Sequence, residues 1–201
     1  MTISDITAYE IIASNGYPSI EVRVTLSSGV VGTASVSYGL SDGSREAKTL
    51  LDGDSKRYDG KGTANNVKII NETIAPALLG KNAHNQRLID WKLLELDDSP
   101  AKSKFGGNTI LGVSLALARA ASISMKIPLY RYLRENFSIP LKDFQLPHPM
   151  VVVIEGGAHA DNSTDFQEYL ISVLKKDSAP EMIRTALEVY HTTKNVLHDK
   201  G

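Results

Sequence analysis

The N-terminal part of the chain alternates between apolar and polar side chains, with turn residues separating the alternating stretches. Residues 5–13 are followed by a Ser-Asn-Gly-Tyr-Pro turn, residues 19–26 alternate strictly, and residues 30–37 follow a Ser-Ser-Gly turn. A period of two is typical of strands that bury one face. The pattern predicts a three-stranded antiparallel meander.

From residue 63 onward the apolar positions recur every three or four residues, which is the period of an amphipathic helix. Gly80 is a plausible end for the first of these helices, and Ser44 is a candidate cap for a shorter helix that precedes them. The third helix is apolar around most of its circumference, so it is predicted to be buried. The predicted helices cover residues 65–80, 85–98, 107–125 and 128–136.

Prolines at positions 140, 147 and 149 interrupt this pattern and predict a linker. We predict a first domain over 1–138, a linker over 139–148, and a second segment over 149–201. In that segment, residues 150–154 form a continuous apolar run, which is typical of a strand buried on both faces. A further strand is predicted over 166–174 and a long amphipathic helix over 179–200.

The composition is that of an ordinary soluble globular protein, with 201 residues, 42% apolar side chains and a net charge of −1. The charge balance gives no support to a nucleic-acid partner or an anionic membrane surface. The N-terminus does not resemble a signal peptide, and no apolar run approaches the ~18–20 residues that span a bilayer. We therefore expect a cytoplasmic protein.

The absence of cysteine excludes disulfides, cysteine-ligated zinc, iron–sulfur clusters and thiol nucleophiles. Chemistry is left to carboxylates, histidine, lysine, hydroxyl groups or a hard metal ion. Residues 155–168, EGGAHADNSTDFQE, concentrate such groups. If the strands on either side are antiparallel, His159 in the loop and Gln167 and Glu168 at the start of the second strand lie at the same edge of the sheet. An ordinary polar loop would have a similar composition, so the residues alone leave both interpretations open.

Eight stretches of the chain carry a resemblance to a known family. The stretch KSKFGGNTILGVSLALARAAS (102–122) is similar to the enolase pattern KSKLGANAILGVSLA, closely enough to exclude chance. The other matching stretches are SNGYPSIEV (14–22), GSREA (43–47), DGDSKRYDGKG (52–62), QRLID (86–90), PLYRYL (128–133), LPHPM (146–150) and GGAHADN–DFQEY (156–169).

The resemblance to enolases implies an α+β fold. An N-terminal domain with a three-stranded meander and a helical bundle would be followed by the opening β-β-α unit of an incomplete TIM barrel. It also implies a lyase, phosphopyruvate hydratase, which dehydrates 2-phosphoglycerate to phosphoenolpyruvate in glycolysis with Mg²⁺ as cofactor.

The resemblance also implies roles for individual residues. A mobile lid would contain Gly39, Ser41, Asp42 and Gly43, with Ser41 a ligand of the second magnesium ion. His159 would contact the substrate when the lid closes. Gln167 and Glu168 would touch the substrate, and Glu168 and His159 would be the catalytic residues.

The sequence departs from the family pattern at several of these positions. Tyr38 and Leu40 replace small residues in the lid, Asp42 replaces threonine, Leu51 replaces arginine, and Glu155 replaces asparagine. By resemblance, the main carboxylate ligands of the metal and the lysine base would lie beyond position 201. We expect a divergent or truncated copy that is inactive alone. The alternative is a non-catalytic paralogue that self-associates or pairs with an enolase-like chain as a binding or assembly partner.

Overall fold

The computed structural model describes residues 1–36, 43–140, 143–174 and 178–200, and the chain divides into two units, Met1–Ile139 and Pro140–Gly201. The first unit begins with strands β1 (Ile3–Ile12), β2 (Pro18–Leu26) and β3 (Val31–Val36). They form an antiparallel sheet in the order β1-β2-β3, which confirms the predicted meander. Every second residue of β2 from Ile20 to Leu26 is buried, as its alternation predicts.

The helices of the first unit follow the predicted apolar period. They are α1 (Ala64–Ile69), α2 (Ala75–Leu78), α3 (Gln86–Leu96), α4 (Gly107–Met125) and α5 (Leu129–Phe137). A π-helical turn, Ile70–Ile74, joins α1 to α2, so the single predicted helix over 65–80 contains one wider turn. Ile70, Ile74 and Leu78 from its predicted apolar face are fully buried. Gly80, at φ 74°, follows the end of this helical stretch.

Helix α4 packs closely on the sheet because glycines remove side chains where the two surfaces meet. A Cβ atom on Gly32 of β3 would lie 2.2 Å from the backbone nitrogen of Ala120 in α4. A Cβ atom on Gly112 of α4 would lie 2.9 Å from a methyl group of Val22. The core of the first unit therefore lies between the sheet and the helices, with α4 at its centre.

By length and composition alone, α4 could also cross a membrane. Half of it is buried inside the protein, however, and the central helix of a globular core has the same length and composition. This is weak evidence for a membrane span.

Side chains from the helical layer contact the two outer strands of the sheet. The Asn71 side chain, in the π turn, accepts a hydrogen bond from the Ala8 nitrogen (2.7 Å) and donates one to the Ala8 oxygen (3.3 Å). On the other side, Arg119 of α4 donates to the Thr33 oxygen of β3 at 2.6 Å.

The predicted short helix after Ser44 is wrong. Residues 43–50 form a turn followed by irregular chain. The backbone of Lys48 is bonded elsewhere: its nitrogen donates to the Ala101 oxygen (2.7 Å), and its oxygen accepts from the Gly107 nitrogen (2.8 Å). These bonds tie the segment to the chain that enters α4, and a helix would need the same backbone groups for itself.

The second unit consists of β4 (Met150–Glu155), β5 (Glu168–Ser172) and α6 (Ala179–Asp199). β4 and β5 pair antiparallel, as predicted, and the described residues of this unit form no closed barrel. The expectation that β4 is buried on both faces is wrong, since its residues are at most half-buried. Within the described residues, a two-stranded sheet packed with one helix covers only one face of β4. The limits of the linker, 139–148, stay a prediction.

Candidate active-site loop

The loop between β4 and β5 is closed at its base by backbone hydrogen bonds. The Gly156 nitrogen donates to the Gln167 oxygen, and the Gly157 nitrogen donates to the Thr164 oxygen, each at 2.8 Å. Glu155 and Glu168 are direct partners across the two strands. The hairpin therefore brings the start and the end of the loop to one edge of the sheet.

The glycine pair at the start of the loop is required by two different constraints. Gly156 is buried, and a Cβ atom there would lie 2.3 Å from the Phe166 oxygen and 2.5 Å from the Thr164 oxygen. Gly157 has φ 57°, in the left-handed region that favours glycine. Together they allow the returning chain to cross close to β4.

His159 and Gln167 meet at this edge. His159 ends a short 3₁₀ turn, Gly157–His159, and its backbone nitrogen donates to the Gly156 oxygen at 3.1 Å. The His159 Nε2 and Gln167 Nε2 atoms are 3.4 Å apart. An amide nitrogen only donates, so in this arrangement Nε2 of a neutral imidazole is the acceptor. Rotation of the amide would offer its oxygen to a protonated Nε2, so the contact can form with the imidazole neutral or charged.

Glu168 begins β5 and is half-buried. Within the described part of the chain, its carboxylate forms no hydrogen bond or ion pair. Its direct cross-strand partner is Glu155, and such partners have Cβ atoms about 4.5–5.5 Å apart. Glu155 therefore places a second carboxylate across from Glu168.

The structure brings together only part of the predicted site. His159, Gln167 and Glu168 lie at one edge of the β4–β5 hairpin. Gly43 lies in the first unit, where its nitrogen donates to the Glu46 carboxylate at 2.9 Å. The other predicted lid residues, Gly39, Ser41 and Asp42, are outside the described residues.

Two hydroxyl contacts that the sequence analysis did not single out stabilise the loop. Ser163 Oγ donates to the Glu155 oxygen at 2.7 Å, and Thr164 Oγ1 lies 3.1 Å from the Tyr169 hydroxyl. Serine and threonine often bond to nearby backbone in loops, so the Asn-Ser-Thr-Asp run was the available signal.

The described residues do not fit a complete magnesium site. Among residues 1–36, 43–140, 143–174 and 178–200, no group of three or more histidine, aspartate or glutamate side chains is placed to hold a metal ion. Ser41, the ligand expected by resemblance, is outside these ranges.

Two family models match the chain, one in each unit. The model described as the enolase N-terminal domain matches residues 3–133, and the model described as the enolase C-terminal TIM barrel domain matches residues 143–201. The first match alone covers more than half of the chain, and the second contains the hairpin with His159, Gln167 and Glu168. The chain belongs to the enolase family.

Proposed function

We propose that the chain takes part in the dehydration of 2-phosphoglycerate to phosphoenolpyruvate, as a glycolytic lyase in the cytoplasm. It would supply the lid serine, Ser41, and the hairpin residues His159, Gln167 and Glu168. The observation that carries the proposal is the 3.4 Å contact between His159 and Gln167 on a hairpin within the matched barrel domain. Family matches in both units support it.

His159 and Gln167 suit an anionic substrate, and Glu168 suits the exchange of a proton. Gln167 is exposed and His159 is half-buried, so both can present N–H groups to a phosphorylated ligand. Hydrogen bonds from a protonated imidazole to phosphate are charge-assisted and therefore stronger than neutral ones. Glu168, with no recorded hydrogen bond in the described residues, would exchange a proton with the substrate or with water. Enolases generally use Mg²⁺, and Ser41 is the ligand expected from this chain.

A second candidate function is that of a non-catalytic assembly partner. The second unit exposes large apolar side chains, with Leu146 at 73%, Met150 at 70%, Phe166 at 69% and Leu174 at 67%. Clusters of exposed large apolar side chains mark interaction surfaces. Self-association, or pairing with an enolase-like chain, would cover them.

A titration of the 201-residue chain with 2-phosphoglycerate, followed residue by residue by NMR, tests the substrate contact. We expect saturable shifts at His159 and Gln167 in the parent chain, and the shift at Gln167 should disappear in His159→Ala. His148→Ala is a matched control, since it removes an exposed histidine of the same unit outside the hairpin. Shifts that persist in His159→Ala would contradict the assigned contact, and so would an absence of shifts in the parent chain.

A coupled assay on material of confirmed mass tests whether the chain is inactive alone, and sedimentation tests the assembly role. A preparation of confirmed intact mass that contains only these residues is expected to show no dehydration, because enolate charge needs electrostatic stabilisation that its described residues do not assemble. Turnover by that preparation would refute this expectation. Sedimentation over a range of concentrations should detect association of the chain, and a strictly monomeric species would argue against the assembly role.

A further inference from the structure

A cavity of about 480 Å³ lies in the first unit, between the segment around residues 46–49 and helices α3 and α4. Its size falls within the range of roughly 300–1,000 Å³ that is typical of small-molecule sites. The walls are mostly apolar and come from Val36, Ala47, Leu94, Ile110 and Leu111. Among the described residues, neither Gly43 nor any residue of the β4–β5 hairpin lines it.

Asp90 of α3 places a carboxylate with one unused oxygen on the wall of this cavity. Its Oδ1 atom accepts hydrogen bonds from Ser114 Oγ (2.7 Å) and Gln86 Nε2 (2.9 Å). Oδ2 accepts no hydrogen bond from any of the described residues. The two bonds to Oδ1 hold the carboxylate in place on the cavity wall and leave Oδ2 available as an acceptor.

Three other polar side chains of the wall make hydrogen bonds of their own. Both ends of the Asn108 amide bond to the backbone of Leu50, each at 3.1 Å. Lys102, the one cation recorded among the described lining residues, donates to the Asp97 oxygen at 2.8 Å. Glu46 accepts from the Gly43 nitrogen. Asp90 and Glu46 together outnumber Lys102, so the wall carries a negative formal charge that favours a cationic ligand and opposes an anionic one.

We propose that this cavity binds a small organic molecule with an apolar body and a single amine. The ammonium group donates to Oδ2 of Asp90, and the body fills the space between Leu94, Ile110 and Leu111. A charge-assisted hydrogen bond at the edge of an apolar pocket combines orientation with burial, which is the usual arrangement in small-molecule sites.

The test uses 2-phenylethylamine as the probe and the full chain, with binding followed by NMR. The matched neutral probe is 2-phenylethanol, which keeps the ring and the chain length but has no positive charge. We expect saturable shifts at Ile110 and Leu111, with the alcohol bound about tenfold or more weakly, which corresponds to about 1.4 kcal/mol. Equal affinities for the two probes, or no saturable shift with the amine, would overturn the proposal.

Three variants localise the binding. Leu111→Trp fills the cavity from a position that is exposed in the structure, so folding should be retained and binding lost. Asp90→Asn keeps the shape and should reduce the preference for the amine over the alcohol. Glu95→Gln, on the same helix but outside the cavity lining, is the control and should bind like the parent chain. Amine binding that survives Leu111→Trp would refute the site even if Asp90→Asn did not fold.

Discussion

The substitution Gly156→Ala should open the base of the β4–β5 hairpin. The new methyl group would lie 2.3 Å from the Phe166 oxygen and 2.5 Å from the Thr164 oxygen. If these atoms stay in place, the overpacking costs about 1–3 kcal/mol. If they move away, the bonds Gly156–Gln167 and Gly157–Thr164 are lost, and two backbone hydrogen bonds at about 0.5–1.5 kcal/mol each give a similar cost.

Residue-resolved hydrogen exchange measures this directly, because the amides of residues 156 and 157 are the two donors. A loss of 1–3 kcal/mol corresponds to exchange about 5- to 150-fold faster at both amides. Gly43→Ala is the matched control, since a Cβ atom there meets nothing closer than 3.6 Å and its backbone is not in the left-handed region. Parent-like exchange in Gly156→Ala would refute the steric reasoning. We also expect the contact of His159 with Gln167 to be lost in this variant.

Three further changes test charge and burial in the two units. The hydrogen-bonded ion pair with Arg57 holds the pKa of Glu10 below its usual value, so the stability it contributes is lost as pH falls through that lowered pKa. Glu10→Gln should therefore flatten the acid limb of urea-unfolding free energies. Burial raises the pKa of Tyr132 to about 12. Stability should therefore fall as pH rises from about 10, the value in the unfolded chain, and Tyr132→Phe should remove this contribution. Glu155→Asn removes the like charge opposite Glu168 and should stabilise the hairpin by about 0.2–1 kcal/mol, measured by amide exchange.

Each of these changes has an outcome that would contradict it. An acid limb as steep in Glu10→Gln as in the parent would mean that the ion pair does not contribute to stability. Ultraviolet titration in which every tyrosine ionises with an ordinary pKa would contradict the burial of Tyr132. Faster exchange of the hairpin amides in Glu155→Asn would mean that the two carboxylates are not close enough to repel.

Strands and helices that bury one face were predictable from the sequence, because their apolar residues recur at a regular spacing. The alternation around Val22 and the helical spacing through Ile74 each bury one face, and burial of that face determines the type of element. The π turn at Ile70–Ile74 was not predictable, because one extra residue in a turn leaves nearly the same apolar period. The false helix after Ser44 had a good local signal, but the bonds of Lys48 to distant backbone decide its conformation.

The candidate site was predictable to the level of the sheet edge. An antiparallel pair of strands brings His159 and Gln167 to one end whatever the loop conformation is. The distance between the two side chains depends on how closely the returning chain passes Gly156. The contacts of Thr164 with Gly156 and Gly157 determine that approach, and no hydrophobic pattern in the sequence indicates them. The second carboxylate beside Glu168 follows from the strand register, which the sequence alone did not specify.

The contacts of Asn71 and Arg119 with the outer strands have a consequence for aggregation. Unpaired backbone groups on an edge strand can template the addition of a strand from another molecule. The Asn71 amide occupies the nitrogen and the oxygen of Ala8 on β1, and the Arg119 guanidinium occupies the oxygen of Thr33 on β3. Each edge of the three-stranded sheet is therefore blocked near its middle, and the start of β1 is covered as well, because Ile3 exchanges backbone hydrogen bonds with Gly80 and Lys81. Deleting one residue from the π turn would convert it to an ordinary α-helical turn, rotate Asn71 away from β1, and leave the Ala8 backbone groups open to a foreign strand.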